Sequence, residues 1–144
     1  MIPSGSRILL DTVSPIHFLE PNGPYSEQAK GILSCIESGE LQGLMASLVF
    51  AELLVPLYRS GNSQAACGLS KRLINLWNME FITLTTEIRM EATKLRADHG
   101  PRTPGAIHGA TAIIAQATGI LTNDKRLKVL TQEGLSVWQF DSLV

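Results

Sequence analysis

Ile8-Leu9-Leu10-Asp11 and Gly119-Ile120-Leu121-Thr122-Asn123-Asp124 decide the fold. Each is a short apolar run that closes on a carboxylate. Residues 7–11 form an apolar strand of the kind buried on both faces, as in a parallel sheet. If the two runs lie side by side in one such sheet, Asp11 and Asp124 meet at its carboxyl edge, where open α/β sheets build their sites. A cluster of carboxylates there is what a hard divalent cation requires.

Outward from these runs, strand and helix signals alternate, the pattern of a parallel α/β domain. A short helical stretch follows Asp11 to about Leu19 and ends at Pro21-Asn22-Gly23-Pro24. Ser26 caps a helix to about Ser38, with Gly39 as its stop. Leu44-Met45-Ala46 is a strand, and Ser47 opens an apolar helix from Leu48 to about Arg59. After the break at residues 60–63, a helix runs to about 77, and Phe81–Leu84 is the third strand. Thr86 begins a helix to about His99, ended by Gly100-Pro101. Thr103 at the N-cap and Pro104 at the first helical position start a helix to about Thr118, which Gly119 stops. Ile120–Thr122 is the fourth strand; a short helix over about 125–132 and a strand over Ser136–Phe140 complete the chain.

With 144 residues and neither repeat nor linker, residues 1–144 form one domain. A net charge of −1 excludes a strongly basic nucleic-acid binder, so any such role rests on local sites. Only 17% of residues are charged, and mean hydropathy is +0.13, which favours an oligomer or a bound partner. Cys35 and Cys67 lack metal-ligand spacing and are expected to be buried, reduced thiols. Met1–Arg7 is too short and polar for a signal peptide, and no apolar run approaches the roughly 20 residues of a membrane span. A cytoplasmic protein is expected.

Several residues could carry chemistry. Asp11 and Asp124 each precede a helix, so each is a cap or a metal ligand. Glu52 is the only acid in the run LVFAELLVPLY (48–58), and Pro56 four residues on loosens the helix there. An acid in so apolar a helix is either outward and solvated or buried with a partner, because an unpaired buried charge is costly. Gly105 stands at the start of its helix, where free N–H groups favour an anion. His108 lies one turn along; it is a packed or capping histidine, or a ligand. Thr122 and Ser14 supply hydroxyls that could line the site.

ILLDT at the start, Ser47 to Glu52, RTPGAIHGATA (102–112) and LTND (121–124) occur in order over nearly the whole chain. Together they resemble a PIN domain of the small bacterial, VapC-like kind. The resemblance implies a three-layer α/β/α sandwich with a central, mainly parallel sheet. It also implies a Mg²⁺- or Mn²⁺-dependent endoribonuclease site, a toxin paired with an antitoxin, RNA as substrate and a homodimer. Asp11, Glu52 and Asp124 match the family's acids as catalytic and metal residues. The family's third acid falls where this chain has Gly105, and Val13 replaces a frequently polar residue; Asp98 or His108 are the nearest substitutes. The alternative is a catalytically silent PIN-like module that binds RNA or protein. A phosphatase of the haloacid dehalogenase type matches less well, since Val13 stands where its second acid belongs, and a receiver domain lacks its acidic pair.

Overall fold

In the computed structural model, which describes residues 2–19 and 21–143, five strands form one sheet in the order β3-β2-β1-β4-β5. They are β1 (Arg7–Leu10), β2 (Gln42–Ala46), β3 (Met79–Ile82), β4 (Gly119–Leu121) and β5 (Ser136–Trp138), and every pairing is parallel. The chain leaves β1 to build β2 and β3 on one side, then returns to place β4 and β5 on the other. The carboxyl ends of β1 and β4 therefore flank the switch point, where a parallel sheet opens a crevice. Leu10 pairs with Leu121. That register sets Asp11 and Thr122, the next residues, beside each other at the sheet edge.

Alternation along the strands divides the core. Leu9, Leu44 and Ile120 face α5 (Thr86–His99) and α6 (Thr103–Ile114) through Ile88, Leu95, Ala106 and Ala110. Ile8, Leu10, Met45 and Leu121 face the other layer: Ala29 and Ile36 of α2 (Ser26–Glu37), Val49 of α3 (Leu48–Arg59), and Phe140. The helix α1 (Val13–Leu19) joins that side through Val13 and Phe18, and α4 (Ser63–Ile74) packs against α3. Each fully buried aliphatic side chain in these layers stabilises the fold by roughly 1.5–3 kcal/mol. The result is the three-layer α/β/α sandwich.

Small residues on α6 admit a close neighbour. A 3₁₀ segment, Lys125–Glu133, lies against it with Leu127 over Gly105 and Leu130 over Gly109, one turn apart. A β-carbon at Gly105 would sit 3.1 Å from Leu127 Cδ2, and one at Gly109 would sit 2.9 Å from Leu130 Cδ1.

The structure corrects several expected details. The strands shift: β3 begins at Met79 and ends at Ile82, and β5 ends at Trp138. Ser26 is the first residue of α2 rather than its cap, Thr103 likewise begins α6, and residues 125–133 are 3₁₀ rather than α. Pro56 does not interrupt α3. Gly119 is no helix stop: it is the first residue of β4, needed because β5 approaches it closely. Both cysteines are free, but neither is buried, and Cys67 is exposed.

Candidate active site

The edge between β1 and β4 opens into a cleft of about 210 Å³, lined by Asp11, Glu52, Gly105, His108, Asp124 and their neighbours Thr12, Arg102, Pro104, Arg126 and Leu127. The two strand-end aspartates and the acid of the apolar helix thus reach one cavity, from three elements far apart in the chain.

Asp11 is the most deeply set. Its Oδ1 accepts the Val13 N–H at 3.1 Å, the local bond of a helix start, and its Oδ2 accepts the Thr122 hydroxyl. Among the described residues it forms no ion pair with a lysine or arginine. Burial is the dominant influence and pushes the Asp11 carboxyl above the ordinary aspartate range, against the pull of Thr122, His108 and Val13.

Glu52 points inward from α3, and its partner comes from α6. His108 Nε2 lies 2.7 Å from Glu52 Oε1, and the Thr12 hydroxyl donates to the same oxygen at 2.6 Å. Thr12 Oγ is also 3.2 Å from His108 Nε2, so the three groups close a small network. Burial acts to raise the Glu52 carboxyl, but the hydrogen bonds from His108 and Thr12 outweigh it and hold the group below its usual value. His108 itself is buried, and its Nδ1 finds no partner among the described residues.

Asp124 is both cap and ion-pair partner. Its carboxylate accepts the Arg126 N–H at 3.0 Å and the Arg126 guanidinium in a two-point grip, Nε and one terminal nitrogen each at 2.9 Å. The guanidinium is the main reason its carboxyl sits below the ordinary range, and Arg102 adds to the pull. Thr122 ties the two aspartates together: its oxygen donates to Asp11 and accepts the Asp124 N–H at 3.0 Å.

Residues 8–132 match the family model described as PIN domain. The chain belongs to the PIN domain family. Its fold is similar to that of VapBC2 from Rickettsia felis bound to a promoter DNA fragment, at 14% identity and TM-score 0.73, covering 92% of this chain and 98% of that one. It is also similar to FitAcB from Neisseria gonorrhoeae, at 19% identity and TM-score 0.71, covering 94% and 99%. A toxin–antitoxin complex from Klebsiella pneumoniae is similar at 21% identity and TM-score 0.60, covering 83% and 89%. No curated protein matches the sequence.

Within this PIN domain, the structure adds residues that sequence reasoning passed over. Thr12 is a partner of Glu52, Arg126 clamps Asp124, and Leu127 occupies the space in front of Gly105. Only Arg126 left a local signal, two residues after an aspartate that caps its segment. Ser14, by contrast, lies on α1 with its hydroxyl buried and without a partner among the described residues, and it is not among the residues lining the cleft. Asp98 is exposed on α5 and does not line it either.

Proposed function

We propose that this PIN domain is an endoribonuclease of the toxin–antitoxin kind, working with a single Mg²⁺ or Mn²⁺ held by Asp11 and Glu52. The observation that carries the reading is Asp11: a buried carboxylate with no lysine or arginine partner among the described residues, sharing a cleft with Glu52. Hard oxygen donors of this kind suit Mg²⁺, which commonly takes one or two carboxylates and fills its remaining positions with water and phosphate. The donor set fits one cation and not two. Among the described residues no group of three or more histidine, cysteine or acidic side chains is placed to hold a metal ion together. Asp124 is occupied by Arg126, and no acid stands at 105.

When bound, such a cation acidifies water and neutralises charge on phosphoryl oxygens. The chain's own residues do the rest. Val13 and Thr122 orient Asp11; His108 and Thr12 orient Glu52 and keep it ionised. Arg102 and Arg126 line the same cleft and offset its negative carboxylates, which would otherwise repel a phosphodiester.

The test is cleavage of a mixed RNA pool by the purified chain with Mn²⁺. Cleavage is expected, stopping with EDTA and falling by on the order of 100-fold in Glu52→Gln, the upper end of the roughly 10–100-fold that loss of even an outer-shell partner brings. Absence of cleavage under all metal conditions would overturn the reading in favour of the silent, RNA- or protein-binding module. That second reading is favoured by one observation, the replacement of an acid by Gly105 under Leu127.

The role of Leu127 has its own test. Gly105→Asp alone is expected to lower the thermal midpoint and leave Mn²⁺ affinity within about threefold, because the new β-carbon crowds a buried leucine. Combined with Leu127→Ala, the same aspartate should tighten Mn²⁺ binding by roughly tenfold or more, measured by electron paramagnetic resonance titration. Equal gains from the single and double variants would show that Leu127 is no obstacle.

An antitoxin protein as partner, a second copy of the chain and a cytoplasmic setting belong to this reading. Support comes from the similarity to a toxin–antitoxin complex, and from Val55, Tyr58, Ile74 and Trp77, large apolar residues exposed on or just after α3 and α4. Among the described residues no helix is long and apolar enough to cross a membrane.

A further inference from the structure

Charge on α5 is sorted by face. Arg89, Ala92, Thr93 and Arg96 follow helical spacing on one side, while Glu87, Glu91, Lys94 and Asp98 follow it about half a turn away. The first set, with Thr103 and Ile107 of α6, lines a groove of about 260 Å³ between the two helices. Neither arginine is in a salt bridge among the described residues, so the groove carries two uncompensated guanidinium groups on a chain of net charge −1. The walls are firm: α5 and α6 are locked together beneath it by buried Ile88, Leu95, Ala106 and Ala110. The groove also leads somewhere. Thr103 lines it, while Arg102 and Pro104 on either side of Thr103 line the carboxylate cleft.

From this placement we infer that the α5–α6 groove binds the phosphodiester backbone of single-stranded RNA and guides the strand over residues 102–104 into the cleft. The inference deepens the nuclease reading and rests on it for the choice of RNA. Guanidinium groups match phosphate geometry, Thr103 offers a hydroxyl, and Ala92 with Ile107 gives an apolar floor to sugar and base edges, while the Thr93 hydroxyl donates to the Arg89 carbonyl at 2.9 Å. A sequence-independent grip is what these groups provide, since none is arranged to read base edges. Arg102 continues the positive track at the cleft, while Arg126 is held by Asp124 and offsets that carboxylate's charge.

The experiment is fluorescence anisotropy with a short labelled single-stranded RNA in EDTA, so that binding is measured without cleavage, repeated over a range of salt. Arg89→Gln/Arg96→Gln is expected to weaken binding about tenfold and to make the log–log salt dependence shallower by about 1.4, since single strands release roughly 0.7 counterion per phosphate contact. Lys71→Gln/Arg72→Gln, an equal loss of charge on exposed residues of α4, should leave both nearly unchanged. Equal weakening in the two double variants, an unchanged salt slope, or no binding by the wild-type chain would overturn the inference. A single-stranded DNA of the same sequence is expected to lose affinity in parallel, because the contacts are to phosphate; a DNA arm indifferent to the two arginines would count against a backbone grip. Binding that survives when no metal restores cleavage would remove the nuclease reading and leave this groove standing.

Discussion

Asp11→Asn is expected to reduce metal-dependent RNA cleavage by on the order of 100-fold or more while raising the thermal midpoint of the protein. The two effects share one cause. Asp11 is a buried carboxylate whose only hydrogen-bond donors among the described residues are a hydroxyl and a backbone amide. Charge removed from water without a counter-charge is destabilising, and a cation bound in the cleft is what would offset it. The isosteric amide keeps the Val13 bond on its oxygen and faces Thr122 with its nitrogen, so little packing is lost. Every 1 kcal/mol relieved should appear as roughly 2–4 °C in a chain of this size. The sign with pH follows. The folded-state pKa of Asp11 is raised, so its cost is present at neutral pH and is relieved as pH falls through that raised value toward the ordinary 3.8. Glu52 runs the other way: its folded pKa is lowered, so its contribution is present above the ordinary 4.5 and is lost as pH falls through the lowered value. The midpoint advantage of Asp11→Asn should therefore be largest at neutral pH and shrink on acidification. A variant that loses midpoint at neutral pH would mean that Asp11 is chiefly a structural cap, and the metal reading of this residue would fall.

Much of this arrangement is legible in the chain. The apolar runs before Asp11 and Asp124 are short, β-rich and closed by acids, and their parallel pairing puts Asp11 beside Thr122. Glu52 stands out because its helix is otherwise apolar, and the structure resolves its ambiguity: the acid faces inward to His108 and Thr12. What stayed hidden depends on contacts between distant residues. Gly105 looks like a missing ligand when only its neighbours are read. Leu127, on another element, would stand 3.1 Å from a β-carbon at 105, since the segment carrying it packs close on the Gly105–Gly109 face of α6. Gly119 was hidden in the same way, because a glycine after a helix usually marks a stop. Here it follows the helix and opens a strand, and the residue that demands it is Ser136, whose carbonyl no local pattern reveals. Arg126 escaped because exposed ion pairs are common and mostly weak; its importance comes from which acid it holds.

The three acids also differ in how free they are, which bears on what the cleft can do. Asp124 is gripped by a guanidinium and is the least available of them. Glu52 shares one oxygen, Oε1, with two partners. Among the described residues Asp11 has only neutral donors at hydrogen-bond distance, yet it is the most deeply buried of the three. A cation entering the cleft would therefore gain most from Asp11, next from Glu52 and least from Asp124. On that ranking the proposed centre holds one cation rather than the pair, some 3.5–4 Å apart, of two-metal sites.

Gly119→Ala tests the frame on which all of this hangs, and its expected effect on stability is the largest of any single methyl group added to the chain. A β-carbon there would lie 2.3 Å from the carbonyl oxygen of Ser136 and 2.6 Å from the Trp138 ring. The first of these is backbone, so no rotamer change relieves it. Either β5 moves away from β4 or the strands change register, and both forfeit ladder bonds and the buried contacts of Trp138. A loss of about 3 kcal/mol or more is expected, the upper end for overpacking. That corresponds to roughly 6–12 °C in the midpoint by the same size scaling. The injury should also reach the cleft. The Thr122 N–H donates to the Trp138 carbonyl at 2.9 Å, and Thr122 is the residue that joins Asp11 to Asp124. Gly31→Ala provides the contrast, because a β-carbon at Gly31 meets nothing within 4 Å in the interior of α2. There the methyl group should stabilise by about 0.5–1 kcal/mol through the loss of backbone freedom in the unfolded chain. If thermal unfolding gave the two variants the same midpoint, the close approach of β5 to Gly119 would not be a constraint on the fold. The placement of Thr122 between the aspartates would then need another support.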